Sequence, residues 1–236
     1  MLPGLKGSKI KYTSYTEDSL TSSVFQLLFY LPSEMLKGIL SDTLSANSYA
    51  VDFTDLQRYE FWPKWDPAGT NNERYIEPDL VLYFQDLVVI VEAKRYNYGG
   101  QYLGQWSNEV RAYYNENDGE ATNVILWALG GIVSLETGSV EIDGKRVVVV
   151  KSTWGMLLQA IKKRCDEQLK QREIPGVDRN FELLRDLIYT FKVHGFFVGK
   201  WIVDKGFERP LFSNPRLDYF AAQNTNFVFE KVGYDQ

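Results

Sequence analysis

Residues 76–96 read IEPDLVLYFQDLVVIVEAKRY. Two apolar runs flank the polar pair Gln85-Asp86, which is the pattern of a β-hairpin with a short turn. A turn centred there sets Phe84 opposite Leu87. Counting outward pairs Tyr83 with Val88, Leu82 with Val89, Val81 with Ile90, and Leu80 with Val91. The next pair is Asp79 with Glu92, and Glu77 meets Lys94 two steps later. Side chains alternate between the faces of a strand, so this register puts Glu77, Asp79, Glu92 and Lys94 on one face at one end. Opposed residues have Cβ atoms roughly 4.5–5.5 Å apart, and two carboxylates at that spacing repel. A cation between them removes the conflict, and oxygen donors favour Mg²⁺ or Mn²⁺. The backbone carbonyl of Ala93 is a further potential ligand. The competing reading is a solvated hairpin end in which Glu77 and Lys94 form a cross-strand pair. A one-residue bulge would send the acids to opposite faces.

Around the hairpin the pattern alternates between helix and strand. The segment SYTEDSLTSSVFQLLFYLPSEMLKGIL predicts one or two helices broken near Pro32. A strand with an excursion follows in YAVDFTDLQRYEFWPKW, then the loop DPAGTNNER. After the hairpin, QYLGQWSNEVRAYYNEN predicts a helix with an apolar stripe of Leu103, Trp106, Val110 and Tyr114. TNVILWALGG reads as a short buried strand, and SVEIDGKRVVVV as a second hairpin turning at Asp143-Gly144. Two more helices follow, the first ended by Pro175-Gly176 and the second capped by Asp178. The tail from Gly199 reads as irregular. The whole predicts an α/β domain with a mixed central sheet flanked by helices. It predicts one domain over residues 1–236, with a core at about 14–131 and a C-terminal helical extension at about 152–236.

The 236 residues carry 26 basic and 31 acidic side chains, a net charge of −5. Polyanion binding therefore needs a local basic patch or a partner surface rather than bulk charge. One cysteine allows no internal disulfide. No signal-peptide core and no run of about 18 apolar residues is present, so the expectation is a cytoplasmic protein without a membrane span.

The pair Pro78-Asp79, twelve intervening residues, and Glu92-Ala93-Lys94 resemble the PD-(D/E)XK phosphodiesterase superfamily, the restriction-endonuclease-like fold. The likeness spans roughly residues 14–131. It implies a restriction-endonuclease-like sheet, divalent metal (Mg²⁺ or Mn²⁺) on Asp79 and Glu92, and a Lys94 that positions or deprotonates water and stabilises phosphate charge. The family often adds an acid from a preceding helix. Glu17 is the candidate, because it lies in the apolar stripe of Leu20, Val24, Leu28 and Leu31; the plainer reading is a first-turn acid favoured by the helix dipole. Some relatives also carry a glutamine on the following helix, for which Gln101 and Gln105 are candidates. Gln105 points away from the predicted stripe, which makes it a surface residue unless that helix is covered on both sides. Arg95 stands beside the motif among Tyr96, Tyr98, Tyr102 and Trp106, where basic and aromatic groups can hold a nucleic-acid strand. The resemblance implies a nuclease, with DNA favoured over RNA, in a restriction or defence setting; the acidic charge adds the expectation of a homodimer or partner subunit that supplies positive surface. The reading from another class is a catalytically silent module that binds nucleic acid or protein on the same fold.

Three other features invite attention. His194 is the single histidine; without a second ligand it reads as a helix C-terminal dipole partner rather than a zinc ligand. Cys165, beside Lys163 and Arg164, reads as a half-buried structural thiol. The helix face with Lys162, Lys163, Arg164, Lys170 and Arg172 reads equally well as a phosphate contact or as a solvated surface.

Overall fold

The computed structural model describes residues 16–44, 51–96, 99–117, 123–171, 178–200 and 226–230. Pro32 divides the first helical region into α1 (Glu17–Leu28) and α2 (Ser33–Leu44). Thr16 caps α1, its hydroxyl accepting from the N–H of Ser19 at 3.2 Å. After β1 (Arg58–Phe61) comes the hairpin β2 (Leu80–Tyr83) and β3 (Val88–Ala93). Its register is the one expected, Leu80 opposite Val91 through Tyr83 opposite Val88, and the Phe84 N–H closes the turn on the Leu87 carbonyl at 2.9 Å.

Helix α3 (Leu103–Glu116), strand β4 (Val124–Leu129) and the hairpin β5 (Gly138–Ile142) and β6 (Lys145–Ser152) complete the main sheet. Asp143 and Gly144 turn that hairpin with φ of 50° and 78°, the left-handed pair a tight two-residue turn requires. The sheet has six strands in the order β1-β2-β3-β4-β6-β5. The β3–β4 and β4–β6 pairs are parallel and the others antiparallel. The fold is therefore α/β with a six-stranded mixed sheet flanked by helices.

The chain continues with α4 (Trp154–Gln171) and α5 (Arg179–Val193), the latter capped by Asp178 as expected. The tail from Gly199 is not wholly irregular: β7 (Phe196–Lys200) pairs in parallel with β8 (Asn226–Glu230). Parallel pairing between segments so far apart in sequence leaves no local turn signal to read. Pro175, Gly176, Arg172, Tyr98, Pro210 and Pro215 lie outside the described residues.

Two apolar layers hold the sheet. Leu80, Leu82, Val89, Val91, Trp127 and Leu129 face α1, α2, α4 and α5. Val81, Ile90, Leu126, Val147 and Val149 face Trp106, Val110 and Tyr113 of α3. Each such side chain contributes about 1.5–3 kcal/mol when fully buried. The expected α3 stripe needs correction: Leu103 is 58% exposed, and Tyr113 rather than Tyr114 is the buried ring.

Candidate functional site

The site forms where β2 begins and β3 ends. Val81 and Ile90 face α3, so two-residue alternation places Asp79 and Glu92 on that same face, opposed in the continued register. Both are buried, at 9% and 2% exposure. Asp79 Oδ2 accepts the Ala93 N–H at 2.8 Å, which ties the two strand ends together. No bulge interrupts the ladder from Leu80–Val91 to Tyr83–Val88.

Lys94 leaves the end of β3 and turns its ammonium to Glu92 and, at 3.3 Å, to Glu17 Oε1. The second Glu17 oxygen accepts the Arg95 N–H at 2.7 Å. Glu17 thus stands in the first turn of α1 and also joins the hairpin's acids and lysine. Glu77 does not pair with Lys94. It is drawn 3.9 Å from Lys64 instead, because the Trp65–Ile76 bridge carries the chain before Asp79 toward the segment that holds Lys64.

Helix α3 closes the other side. Gln105 is half-buried and donates to Glu92 Oε1 at 2.5 Å, so the expectation of a surface residue is overturned. Gln101 donates to the Glu92 carbonyl at 2.8 Å and accepts from the Trp106 indole at 2.7 Å. Glu109, not anticipated from the sequence, is 2% exposed and shares a hydrogen bond with Glu92. A signal for it exists: at 100° per residue it lies beside the buried stripe of Trp106, Val110 and Tyr113, the same anomaly that marks Glu17.

The Gly130-Gly131 pair after β4 has a structural task. Both residues have positive φ, 73° and 62°; a Cβ on Gly130 would lie 2.1 Å from the Lys94 carbonyl, and one on Gly131 would lie 2.6 Å from Lys94 Cβ. Only glycine admits this approach. The Trp154 indole donates to the same Lys94 carbonyl at 3.0 Å, so Lys94 is fixed from two sides.

Burial, then the nearby Glu92 charge, pushes the Asp79 carboxyl up to about 8. Burial and Glu92 likewise hold the Glu109 carboxyl well above its ordinary range. Burial alone would lower the Lys94 ammonium, but Glu92 and Glu17 hold it above its usual value. The site therefore concentrates more acid than its one lysine balances, and Glu109 Oε2 is buried without a hydrogen-bond partner. That donor chemistry suits a hard divalent cation. Among the described residues, however, no three His, Cys, Asp or Glu side chains already converge as a metal cage; Glu92 is turned to Lys94 and Gln105, and Asp79 to the Ala93 N–H.

The remaining candidates find structural partners. Arg95 donates to the His194 carbonyl at 3.0 Å, across the end of α5. Burial, with Arg95 alongside, lowers the His194 imidazole to about 4, so it is neutral and not a charged dipole partner. Burial raises the Cys165 thiol. Lys163 and Arg164 each lie 3.0 Å from Asp42, and Lys162 lies 2.5 Å from Asp166, so these three are committed to carboxylates; with Lys162 and Arg164 part-buried, that face is an ion-paired contact with α2 rather than a freely solvated surface. Among the described residues no helix is long and apolar enough to cross a membrane.

No family model matches the chain. An uncharacterized protein of Pasteurella multocida (strain Pm70) is 37% identical over 142 residues, 58% of this chain. The chain covers 52% of that relative, about half its length. Among solved structures, similarity extends to the refined half-complex from the tetradecameric assembly of Thermococcus gammatolerans McrB AAA+ hexamers with bound McrC. There the identity is 14% and the TM-score 0.25, over 56% of this chain and 28% of that one. A likeness of that size carries no argument about fold or function.

Proposed function

We propose that the protein is a divalent-metal-dependent nuclease with a restriction-endonuclease-like sheet, hydrolysing phosphodiester bonds of DNA in preference to RNA. The observation that carries this reading is the juxtaposition of Asp79 and Glu92 on one face of adjacent strand ends, with Lys94 beside them. Asp79, Glu92 and the Ala93 carbonyl would hold Mg²⁺ or Mn²⁺, with Glu17 near at hand. A cation there supplies Lewis acidity toward a phosphate oxygen and lowers the pKa of its water.

The residues themselves define the rest. Its carboxylate neighbours hold the Lys94 ammonium above its usual range; Lys94 orients or helps deprotonate water and stabilises phosphate charge. Glu17 holds the Lys94 ammonium and the Arg95 backbone in one position. Gln105 orients Glu92, and α3 excludes water from the buried acids. The net charge of −5 favours a homodimer or partner subunit that adds positive surface, as in a cytoplasmic restriction or defence assembly.

The test is cleavage of plasmid and single-stranded DNA in Mg²⁺ and Mn²⁺. EDTA, Asp79→Ala and Lys94→Ala should each abolish it. The engagement of Glu92 by Lys94 and Gln105 favours a second reading, a catalytically silent module that binds nucleic acid or protein; DNA retention without turnover in either metal would select it.

A further inference from the structure

Beside the acids, between α3 and the chain leading into β2, a cleft of about 190 Å³ is lined by Asn72, Ile76, Glu77, Tyr102, Gln105, Asn108 and Glu109. We infer that this cleft receives one unstacked nucleobase, guanine in preference to the others, from the strand whose phosphodiester is cleaved. The inference rests on the nuclease reading of the adjoining site and adds the substrate feature that site would read.

Four observations lead to it. The cleft is smaller than the roughly 300–1,000 Å³ that encloses a drug-sized ligand, which suits a single planar ring system with its sugar and phosphate left outside. Its walls are mostly polar: three carboxamides, Asn72, Gln105 and Asn108, offer both donors and acceptors. Tyr102 is 62% exposed at the rim, available as a face on which a base can stack. Glu109 lines the cleft, is 2% exposed, and has an Oε2 without a hydrogen-bond partner; a buried acceptor left open in this way calls for a donor.

The two acids decide what the cleft takes. A phosphate would face the Glu77 carboxylate and find, among the described residues, no cation but Lys64 near it, so the strand's backbone lies elsewhere. Carboxylates accept from base N–H groups. Guanine presents two adjacent donors, N1–H and the N2 amine, which match the two oxygens of one carboxylate; cytosine and adenine present a single amine and thymine a single ring N–H. Glu77, near Lys64 at 3.9 Å, is the carboxylate with the access to make that bidentate contact. The carboxamides can donate to guanine O6.

The test uses the full chain in EDTA, so that no strand is cut, and fluorescein-labelled oligo(dT) 12-mers carrying one central dG, dA or dC. Fluorescence anisotropy should show the dG strand bound about tenfold more tightly than oligo(dT). Inosine, which lacks the N2 amine, should lose most of that gain. Glu77→Gln and Asn108→Ala, shown by thermal melting to be folded, should bring dG within about twofold of dT. Equal affinity for all strands, including none for any, overturns the inference, as does a dG preference that survives both variants. The same strands in Mg²⁺ separate the two readings. Base-selective binding without cleavage keeps the cleft and sinks the hydrolytic reading; cleavage with no base selectivity does the reverse.

Discussion

Glu17 Oε2 accepts the backbone N–H of Arg95 at 2.7 Å across 78 positions of sequence, while its other oxygen lies 3.3 Å from the Lys94 ammonium. One carboxylate thus sets both the backbone after β3 and the lysine at its end. Glu17→Gln keeps an acceptor but removes the charge; Glu17→Ala removes both. We expect Glu17→Ala to cost about 1–3 kcal/mol in urea unfolding, because the Arg95 N–H loses its partner, and Glu17→Gln to cost less. If the proposed nuclease reading holds, DNA cleavage should fall in both, more than tenfold in Glu17→Ala. Equal stability of the two variants would contradict the backbone role.

Asp79 makes folding pH-dependent in the opposite sense to an ordinary salt-bridged carboxylate. Its folded pKa, about 8, stands above the ordinary 3.8, so between those values the folded state binds more protons than the unfolded one. Stability of the metal-free protein should therefore fall as pH rises from about 4 through 8. Asp79→Asn should flatten that fall and should be the more stable protein at pH 8. Mg²⁺ or Mn²⁺ should raise Tm most at high pH, where Asp79 is ionised, and should do little for Asp79→Asn. Calorimetry from pH 5 to 9 with and without metal reads all three.

His194 gives a slope of the other sign. Its folded pKa is lowered to about 4 from 6.5. Across that window the unfolded state binds more protons, so stability is lost as pH falls. The loss should be about 3 kcal/mol between pH 7 and pH 4. His194→Asn should remove that component, as measured by urea titrations at pH 7, 5 and 4. The same acid-side slope in the variant would assign it to other groups.

The glycine pair after β4 offers a test of how Lys94 is held. Gly131→Ala places a Cβ 2.6 Å from both Lys94 Cβ and the Gly99 carbonyl, at a φ of 62°. It should cost about 2–3 kcal/mol and abolish turnover by displacing Lys94. Gly144→Ala also sits at positive φ, 78°, but meets nothing within 4 Å. It should cost about 1 kcal/mol and leave turnover unchanged. Comparable losses in both variants would remove the close-packing explanation.

The buried Trp127 indole donates to Ser152 Oγ at 2.7 Å, linking the central strands of the sheet. Ser152→Ala leaves that N–H without its partner and should destabilise the fold by about 1–3 kcal/mol, with turnover unchanged at temperatures where the variant is folded.

The hairpin and its register were legible in the chain because the polar pair Gln85-Asp86 places the turn between two apolar runs; both faces of β2 and β3 are buried, so alternation alone would not have fixed the register. Extending that register set Asp79 toward Glu92, and the helix break at Pro32, the Asp143-Gly144 turn and the Asp178 cap were legible from signals within a few residues. Tertiary packing decided the rest. Lys94 had Glu77 within reach in the flat hairpin yet turns to Glu17, because the distant bridge between Trp65 and Ile76 carries Glu77 toward Lys64. Gln105 and Glu109 enter the site only because α3 docks on the sheet face that carries Glu92. The parallel pairing of β7 with β8 likewise has no local signal. Periodicity reports which way a side chain leaves its own element; which neighbour it then meets depends on how elements far apart in sequence pack.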